Sequence, residues 1–382
     1  MRNSYTFEAP TRIIAGVGEL SALEGLIRSF GSTALIVTDA GVSTALDIPS
    51  LADKLTGNGL RVPIFDEIEA NPRVDTILRG ASHAKASETS VIIALGGGSV
   101  IDAAKGIAIV ATHGGNIWDF IGDQLVPGPV LPIISVPTTS GTGSEVNPFA
   151  VFSRPDDRRK DGLYTPHIFP RAAILDPEVT RTLPKSLTAE TGLDALAHAI
   201  EGYTSKACDN VSAGLAERAI ALVARSLVRA VEDGSCLDAR LEMATASALA
   251  GLAIVGAGVG AAHGFGMSIG GLYDAPHGRI IGVLMPEIME YNTPAATKRH
   301  EKLAHILRDN DRDGLFEGLG SAATMVGRLR ERVGLPSKIS ALGVTRKQVD
   351  EILDDCMDRQ DMVNNPAGFT RDQARDFLVS ML

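Results

Sequence analysis

Asp194 and His198 sit four residues apart in Thr191-Gly192-Leu193-Asp194-Ala195-Leu196-Ala197-His198-Ala199-Ile200-Glu201, a run whose other members are mostly small or apolar. The spacing predicts a helix that stacks the two side chains on one face. A carboxylate and an imidazole on such a face need a partner to be buried. They can satisfy each other as a plain Asp–His pair, or they can share an ion. Two more histidines come from the stretch Met243 to Tyr273, which has no Asp, Glu, Lys or Arg, and from its exit. His263 lies in Gly260-Ala261-Ala262-His263-Gly264 and His277 in Tyr273-Asp274-Ala275-Pro276-His277-Gly278. One carboxylate and three neutral imidazoles around a divalent ion would leave a single net positive charge and an open position for a substrate oxygen, as catalytic sites require. Spacing alone does not bring the two segments together.

A second chemistry is written in glycine. The apolar run Ser90 to Leu95 ends in Gly96-Gly97-Gly98-Ser99, and Val100 to Lys105 then reads as a helix. Glycines let backbone approach a ligand closely, and a helix N-terminus offers free N–H groups and a positive dipole end. The combination suits a pyrophosphate; a tight strand-to-helix turn is the plainer alternative. The pattern departs from Gly-x-Gly-x-x-Gly, with Ser99 and Asp102 in the later positions. Asp39 ends an earlier strand. A carboxylate there would hold ribose hydroxyls and repel a 2′-phosphate, favouring NAD over NADP, and it would serve equally well as a helix cap. A hydroxyl-rich loop, Pro137-Thr138-Thr139-Ser140-Gly141-Thr142-Gly143-Ser144-Glu145, follows another strand, where α/β sheets place their ligands.

The elements that must position these groups follow from periodicity. Ala34 to Thr38, Ser90 to Leu95 and Leu131 to Val136 read as buried parallel strands alternating with helices. Past Leu183-Pro184 the strand signals stop, and long helical patterns follow at Ala189 to Thr204, Val211 to Val231 and Ala239 to Ile254. The expected organisation is an α/β dinucleotide-binding domain over residues 1–183 and an all-α domain over 184–382. The uncharged stretch Met243 to Tyr273 is long enough to span a bilayer, but its Gly, Ala, Ser and His content reads as a helix buried in a bundle, followed by a loop. Arg154 to Asp161 reads as a solvated, charged loop.

A length of 382 residues exceeds what one core supports, and 45% hydrophobic with 21% charged residues excludes a disordered or fibrous chain. A net charge of −10 argues against nucleic acid as a partner. Three dispersed cysteines, Cys208, Cys236 and Cys356, fit neither a disulfide framework nor a Cys-based zinc site, which suits a reducing, cytoplasmic compartment. The start, Met1 to Thr6, lacks the apolar core of a signal peptide.

Several of these motifs, in this order, resemble the iron-containing (group III) alcohol dehydrogenases. The likeness runs from Phe7-Glu8-Ala9-Pro10-Thr11-Arg12 through Gly96 to Lys105, Pro137 to Glu145, Ala189 to Glu201 and Tyr273 to Gly278, and ends at Asn365-Pro366. The resemblance implies the dehydroquinate synthase-like fold, with the active site in a cleft between the two domains. It implies metal ligands at Asp194, His198, His263 and His277, with Fe(II) or alternatively Zn(II) polarising the substrate oxygen. It implies a nucleotide on Gly96, Gly97, Gly98 and Ser99, with contacts from Asp39, Thr138, Thr139, Thr142 and Lys160. It further implies NAD(P)-linked hydride transfer to or from a small alcohol or aldehyde, in a homodimer or larger homo-oligomer with no membrane partner.

The chain departs from the family pattern in places. Met267 stands where relatives often carry a further His one turn after His263. Arg279-Ile280-Ile281-Gly282 follows the last ligand motif without the usual Asn. Asn147 and Phe149 follow the hydroxyl loop where relatives often have other pocket residues. These changes bear on the substrate. Arg279 could serve an anionic aldehyde bearing a phosphonate, sulfonate or carboxylate, or equally well be a plain surface residue. A rival from another class is a sugar-phosphate cyclase or lyase of the dehydroquinate synthase type, whose phosphate-binding motif set is not seen.

Overall fold

Parallel apolar strands pair edge to edge in the first part of the chain. In a computed structural model, which describes residues 4–382 except 155 and 157, the strands are β1 (Arg12–Ala15), β2 (Ala34–Val37), β3 (Ile64–Phe65), β4 (Val91–Gly96), β5 (Gly122–Asp123), β6 (Ile133–Pro137), β7 (Phe149–Arg154), β8 (Arg159–Tyr164) and β9 (Ala172–Leu175). Six form a parallel sheet in the order β1-β9-β6-β4-β2-β3. The helices among them are α1 (Leu23–Arg28), α2 (Ala40–Ala45), α3 (Ile48–Gly57), α4 (Val74–Ala86) and α5 (Gly98–His113).

The sheet is covered on both faces, which is why its central strands read as unbroken apolar runs. Leu35, Val37, Ile92 and Ala94 point into one core with Ile77 of α4 and Ile101 and Ile107 of α5. Their neighbours Ala34, Ile36, Ile93 and Leu95 point into a second core with Ile27 of α1 and Leu55 of α3. The alternation is the period of two expected of a strand.

The charged run Arg154 to Asp161 is not the expected loop. Its ends belong to β7 and β8, an antiparallel pair in register from Phe149↔Tyr164 to Arg154↔Arg159, with β5 alongside β8. Polar residues alternate there with buried Phe152 and Leu163, so the charge marks one face of a hairpin. Pro155 and Asp157 of this run, and Met1, Arg2 and Asn3 of the N-terminal reading, lie outside the described residues.

The remainder is helical: α6 (Lys185–Thr204), α7 (Asn210–Glu232), α8 (Leu237–Ala257), α9 (Ala261–Tyr273), α10 (His277–Asn292), α11 (Thr297–Asp309), α12 (Ala322–Arg332), α13 (Val349–Cys356), α14 (Gln360–Asn364) and α15 (Arg371–Ser380). The chain forms two compact units that change over at Leu183/Pro184; residues 4–8 and Ser140–Gly143 group with the helices, and the rest of the first part forms the α/β unit. Helix α8 is long and apolar enough to cross a membrane, but two-thirds of its most apolar window is buried among other helices.

The expected loop after α8 is instead a second helix, α9, after a break at Gly258–Gly260. Helix propensity misleads here because the glycines of α9 answer to packing: a Cβ on Gly266 would lie 2.5 Å from Ile281 Cδ1, and one on Gly264 2.7 Å from Met362 Sδ. Tight helix contacts outweigh the entropy cost of glycine.

Candidate functional site

Helix α6 is buried nearly all round from Thr188 to Thr204, and this is what lets it present Asp194 and His198 inside the helical unit. His263 stands in the first turn of α9, and His277 opens α10 directly after Pro276. Three elements therefore deliver the set. Ligand atoms of Asp194, His263 and His277 all lie within 4.8 Å of one another. Asp194 Oδ1 is 3.6 Å from His263 Nε2 and 3.7 Å from His277 Nε2. These separations are too long for hydrogen bonds. They are near the spacing, roughly 3.3–3.6 Å, of adjacent ligands on a four-coordinate ion with bonds of about 2.0–2.2 Å.

His198 is brought next to this group without joining it. Its Nδ1 is 3.8 Å from Asp194 Oδ2, and its ring centroid is 4.3 Å from that of His263. Asp194 Oδ1, His198 Nδ1 and His263 Nε2 are buried with no hydrogen-bond partner. Buried polar atoms are rarely left so, and an ion between Asp194 Oδ1 and His263 Nε2, which face each other at 3.6 Å, would satisfy both. The donor set fits a divalent iron or zinc.

Burial alone would raise the Asp194 carboxyl, but His198, His277 and His263 outweigh it and hold the group well below the usual carboxylate range. Burial pushes His198 down to about 4 against the pull of Asp194. At His263 burial acts in the same direction, yet Glu201 and Asp194 raise the imidazole to about 10.

Glu201 is a residue the sequence reading passed over. It lies on α6 seven residues after Asp194 and three after His198, on the same face. Its Oε2 is 2.5 Å from His263 Nδ1 and accepts from the Gly260 N–H at 2.9 Å; Oε1 accepts from the Ala262 N–H at 2.7 Å. The i, i+4, i+7 pattern of Asp194, His198 and Glu201 was the available signal.

Met267 follows His263 by one turn of α9. Arg279 donates from Nε to Glu190 Oε1 at 3.0 Å, within the helical unit. Glu190 is buried and Arg279 partly exposed.

In the α/β unit, Gly97 is the N-cap of α5 and offers no side-chain cap of its own. A Cβ there would meet Thr139 Oγ1 at 3.3 Å, so small residues keep the turn open beside the end of β6. The Thr138 N–H donates to the Gly96 carbonyl at 3.0 Å. Lys160 Nζ donates to Asn71 Oδ1 at 2.7 Å, and the Asn71 N–H reaches Ser99 Oγ at 3.4 Å. Ser99, Thr138, Thr139 and Lys160 are thus drawn together around the β4–α5 turn. Thr142 lies in Ser140–Gly143, which groups with the helices. Asp39 is the N-cap of α2, where its Oδ1 accepts from the Val42 N–H at 2.9 Å. Asn147 and Phe149 have internal roles: Asn147 Oδ1 accepts from Lys105 Nζ and from the Phe149 N–H, and the Phe149 ring lies 5.3 Å from Tyr164.

Comparison with known proteins follows the same outline. The profile described as "Iron-containing alcohol dehydrogenase" matches residues 10–177, and that of the C-terminal part of the Fe-containing alcohol dehydrogenase family matches 188–382. The chain is 37% identical over 335 residues to the 1,3-propanediol dehydrogenase of Klebsiella pneumoniae, covering 87% of this chain and 85% of that one. It is 33% identical over 351 residues to the NAD-dependent methanol dehydrogenase of Bacillus methanolicus, covering 90% and 91%. A crystal structure of a 1,3-propanediol oxidoreductase superposes with a TM-score of 0.93 at 31% identity over 100% of both chains. A sulfoacetaldehyde reductase from Bifidobacterium kashiwanohense in complex with NAD+ superposes with a TM-score of 0.86 at 25% identity, over 99% of this chain and 98% of that one.

Proposed function

The chain belongs to the iron-containing alcohol dehydrogenase family of oxidoreductases, and from that premise we propose that it interconverts a small neutral alcohol and its aldehyde with NAD(H), using a divalent ion held by Asp194, His198, His263 and His277. The observation that carries this reading is the convergence of buried Asp194 and His263 with half-buried His277 from three helices. Bound there, Fe(II) or Zn(II) would supply Lewis-acid polarisation of a carbonyl oxygen.

The rest is work for the chain itself. The open N-terminus of α5 would take the pyrophosphate on backbone N–H groups, with the hydroxyls of Ser99, Thr138 and Thr139 and the ammonium of Lys160 around it. Asp39 would accept from the adenosine ribose while it caps α2, and its charge disfavours a 2′-phosphate. His198, His263 and His277 would be neutral when ligating. The buried walls of α6 and α9 would keep bulk water from the ligand set. The named relatives' substrates, 1,3-propanediol and methanol, support a short neutral alcohol. The unpaired state of Cys208, Cys236 and Cys356 supports a reducing, cytoplasmic setting, and a homodimer or larger homo-oligomer completes the reading.

The test is anaerobic oxidation of NADH and NADPH by protein loaded with Fe(II) or Zn(II), against short neutral and anionic aldehydes, with a chelator control. The expected result is metal-dependent turnover that prefers NADH and neutral aldehydes. Stoichiometric metal without turnover of any aldehyde overturns the reading.

A further inference from the structure

We propose that Glu201 is a positioning residue that fixes which nitrogen of His263 is offered to the metal, an inference that rests on the metal reading above. His263 lies between two carboxylates. Glu201 Oε2 stands 2.5 Å from Nδ1, and Asp194 Oδ1 stands 3.6 Å from Nε2 on the far side of the ring. Both Glu201 oxygens already act as acceptors, from the Gly260 and Ala262 N–H groups, so the hydrogen on this contact belongs to Nδ1. With Nδ1 committed as donor, the lone pair left for a metal is on Nε2, the atom that faces Asp194 and lacks a hydrogen-bond partner.

Glu201 is itself pinned. Its two oxygens also accept from the Gly260 and Ala262 N–H groups, the first donors of α9. Helix α9 has Gly260 at its N-cap and no side-chain cap from its own sequence. The missing cap comes from two distant acceptors, Glu201 and the buried Asn365, whose Oδ1 accepts from the Ala261 N–H at 3.2 Å. Asn365 is locked in turn by a reciprocal pair with Asn292, at 2.9 and 2.7 Å. The two caps differ in one respect: only Glu201 has a hydrogen bond with His263. Glu201 thus carries orientation of the ligand and capping of its helix in one carboxylate, and Asn365 carries capping alone.

This difference supplies the test. Glu201→Gln keeps size and one acceptor oxygen, but its NH2 must face either the Ala262 N–H or the pair formed by the Gly260 N–H and His263 Nδ1. Facing His263, it would demand an acceptor at Nδ1 and move the proton to Nε2, where it blocks the metal. Full-length wild type, E201Q and Asn365→Ala would be compared for Co(II) affinity by chelator competition, for the cobalt d–d spectrum, and for the melting temperature of the metal-free form. The expected result is a Co(II) affinity about 10–100-fold weaker in E201Q with an altered d–d band, the scale of lost outer-shell partners. N365A should change affinity less than about 3-fold while lowering the metal-free melting temperature at least as much. An E201Q affinity within about 3-fold of wild type overturns the proposal. So does equal weakening in both variants, which would mean capping alone. If wild type binds no Co(II), the metal reading fails, and proton NMR of the metal-free chain decides this inference by itself. A slowly exchanging, downfield Nδ1 proton of His263 should be present in wild type and N365A and lost in E201Q; its absence from wild type overturns the inference.

Discussion

Gly143 and Gly251 meet backbone to backbone: a Cβ added to Gly143 would lie 2.3 Å from Gly251 Cα, and one added to Gly251 would lie 2.6 Å from Gly143 Cα. Both belong to the helical unit, Gly251 inside α8 and Gly143 in the segment Ser140–Gly143 that carries Thr142. Neither contact can be relieved by a side-chain rotation. Gly251→Ala should therefore destabilise by about 1–3 kcal/mol, the range for overpacking. Gly143→Ala should be worse, because its φ of +63° adds backbone strain. Thermal melting of the two variants checks the order, and a G251A protein as stable as wild type would show that α8 can move aside freely.

Lys105 gives stability a pH dependence of known sign. Its ammonium is fully buried on α5, donating to Ser144 Oγ at 2.7 Å, Asn147 Oδ1 at 3.3 Å and the Phe149 carbonyl at 2.6 Å, with Asp102 3.9 Å away. Burial pushes it down from 10.5 to about 8, partly resisted by Asp102 and Glu145. The unfolded chain then binds more protons than the folded one between about pH 8 and 10.5, so this group's contribution makes stability rise with pH across that window. The full span is on the order of 3 kcal/mol. Denaturant melts of wild type and Lys105→Met over this range should diverge in favour of wild type as pH rises; parallel curves would mean that Lys105 is not desolvated.

The sheet was legible because β2, β4 and β6 are buried on both faces and read as apolar runs, and α6 to α8 because their apolar patterns are long. What escaped was set by contacts rather than by local pattern. Glycine-rich α9 read as loop because the residues that pack against Gly264 and Gly266 lie on distant segments, at Met362 and Ile281. The β7–β8 hairpin read as a charged loop because its alternation is masked by Arg154, Arg159 and Asp161. At the site, Asp194 and His198 were visible from one helix, while the meeting of Asp194 with His263 and His277 needed the family resemblance to suggest and tertiary structure to display. Glu201 was overlooked because its partners, Gly260, Ala262 and His263, are about sixty residues away.

Asp39 holds two assignments that one substitution separates. Its Oδ1 caps α2 through the Val42 N–H, and its charge is the argument for NAD. Asparagine caps nearly as well as aspartate. Asp39→Asn should therefore leave the melting temperature almost unchanged and reduce the preference for NADH over NADPH in kcat/KM. Asp39→Ala should show the same cofactor effect with a loss of about 1 kcal/mol of stability. If D39N keeps the cofactor ratio of wild type, Asp39 is a helix cap and no more.

The metal set predicts a stability change that needs no substrate. Binding to the folded state alone stabilises by about 2.7 kcal/mol when free metal reaches a hundred times its dissociation constant. Zn(II) added anaerobically to the metal-free protein should raise the melting temperature by several degrees. Asp194→Asn should abolish that rise, because Asp194 supplies the carboxylate of the Asp194, His263 and His277 cluster. Nucleotide affinity, measured by fluorescence of bound NADH, should persist in the variant, since the β4–α5 turn is untouched. A D194N protein with the full zinc response would remove Asp194 from the ligand set.

Arg279 pairs with Glu190, and this contact bears on the choice between neutral and anionic substrates. The arginine follows His277, a proposed metal ligand, by two residues, so an anion-binding role is worth testing. In this chain the guanidinium Nε is engaged by Glu190 at 3.0 Å. A positive charge already facing a buried carboxylate has less attraction left for a second anion, so its first role is to neutralise Glu190. Arg279→Ala should then lower stability by about 1 kcal/mol, discounted for the partial exposure of the arginine, and should change KM for a neutral and an anionic aldehyde of equal length by the same factor. A KM increase confined to the anionic aldehyde would reverse this assignment and make the arginine a substrate contact.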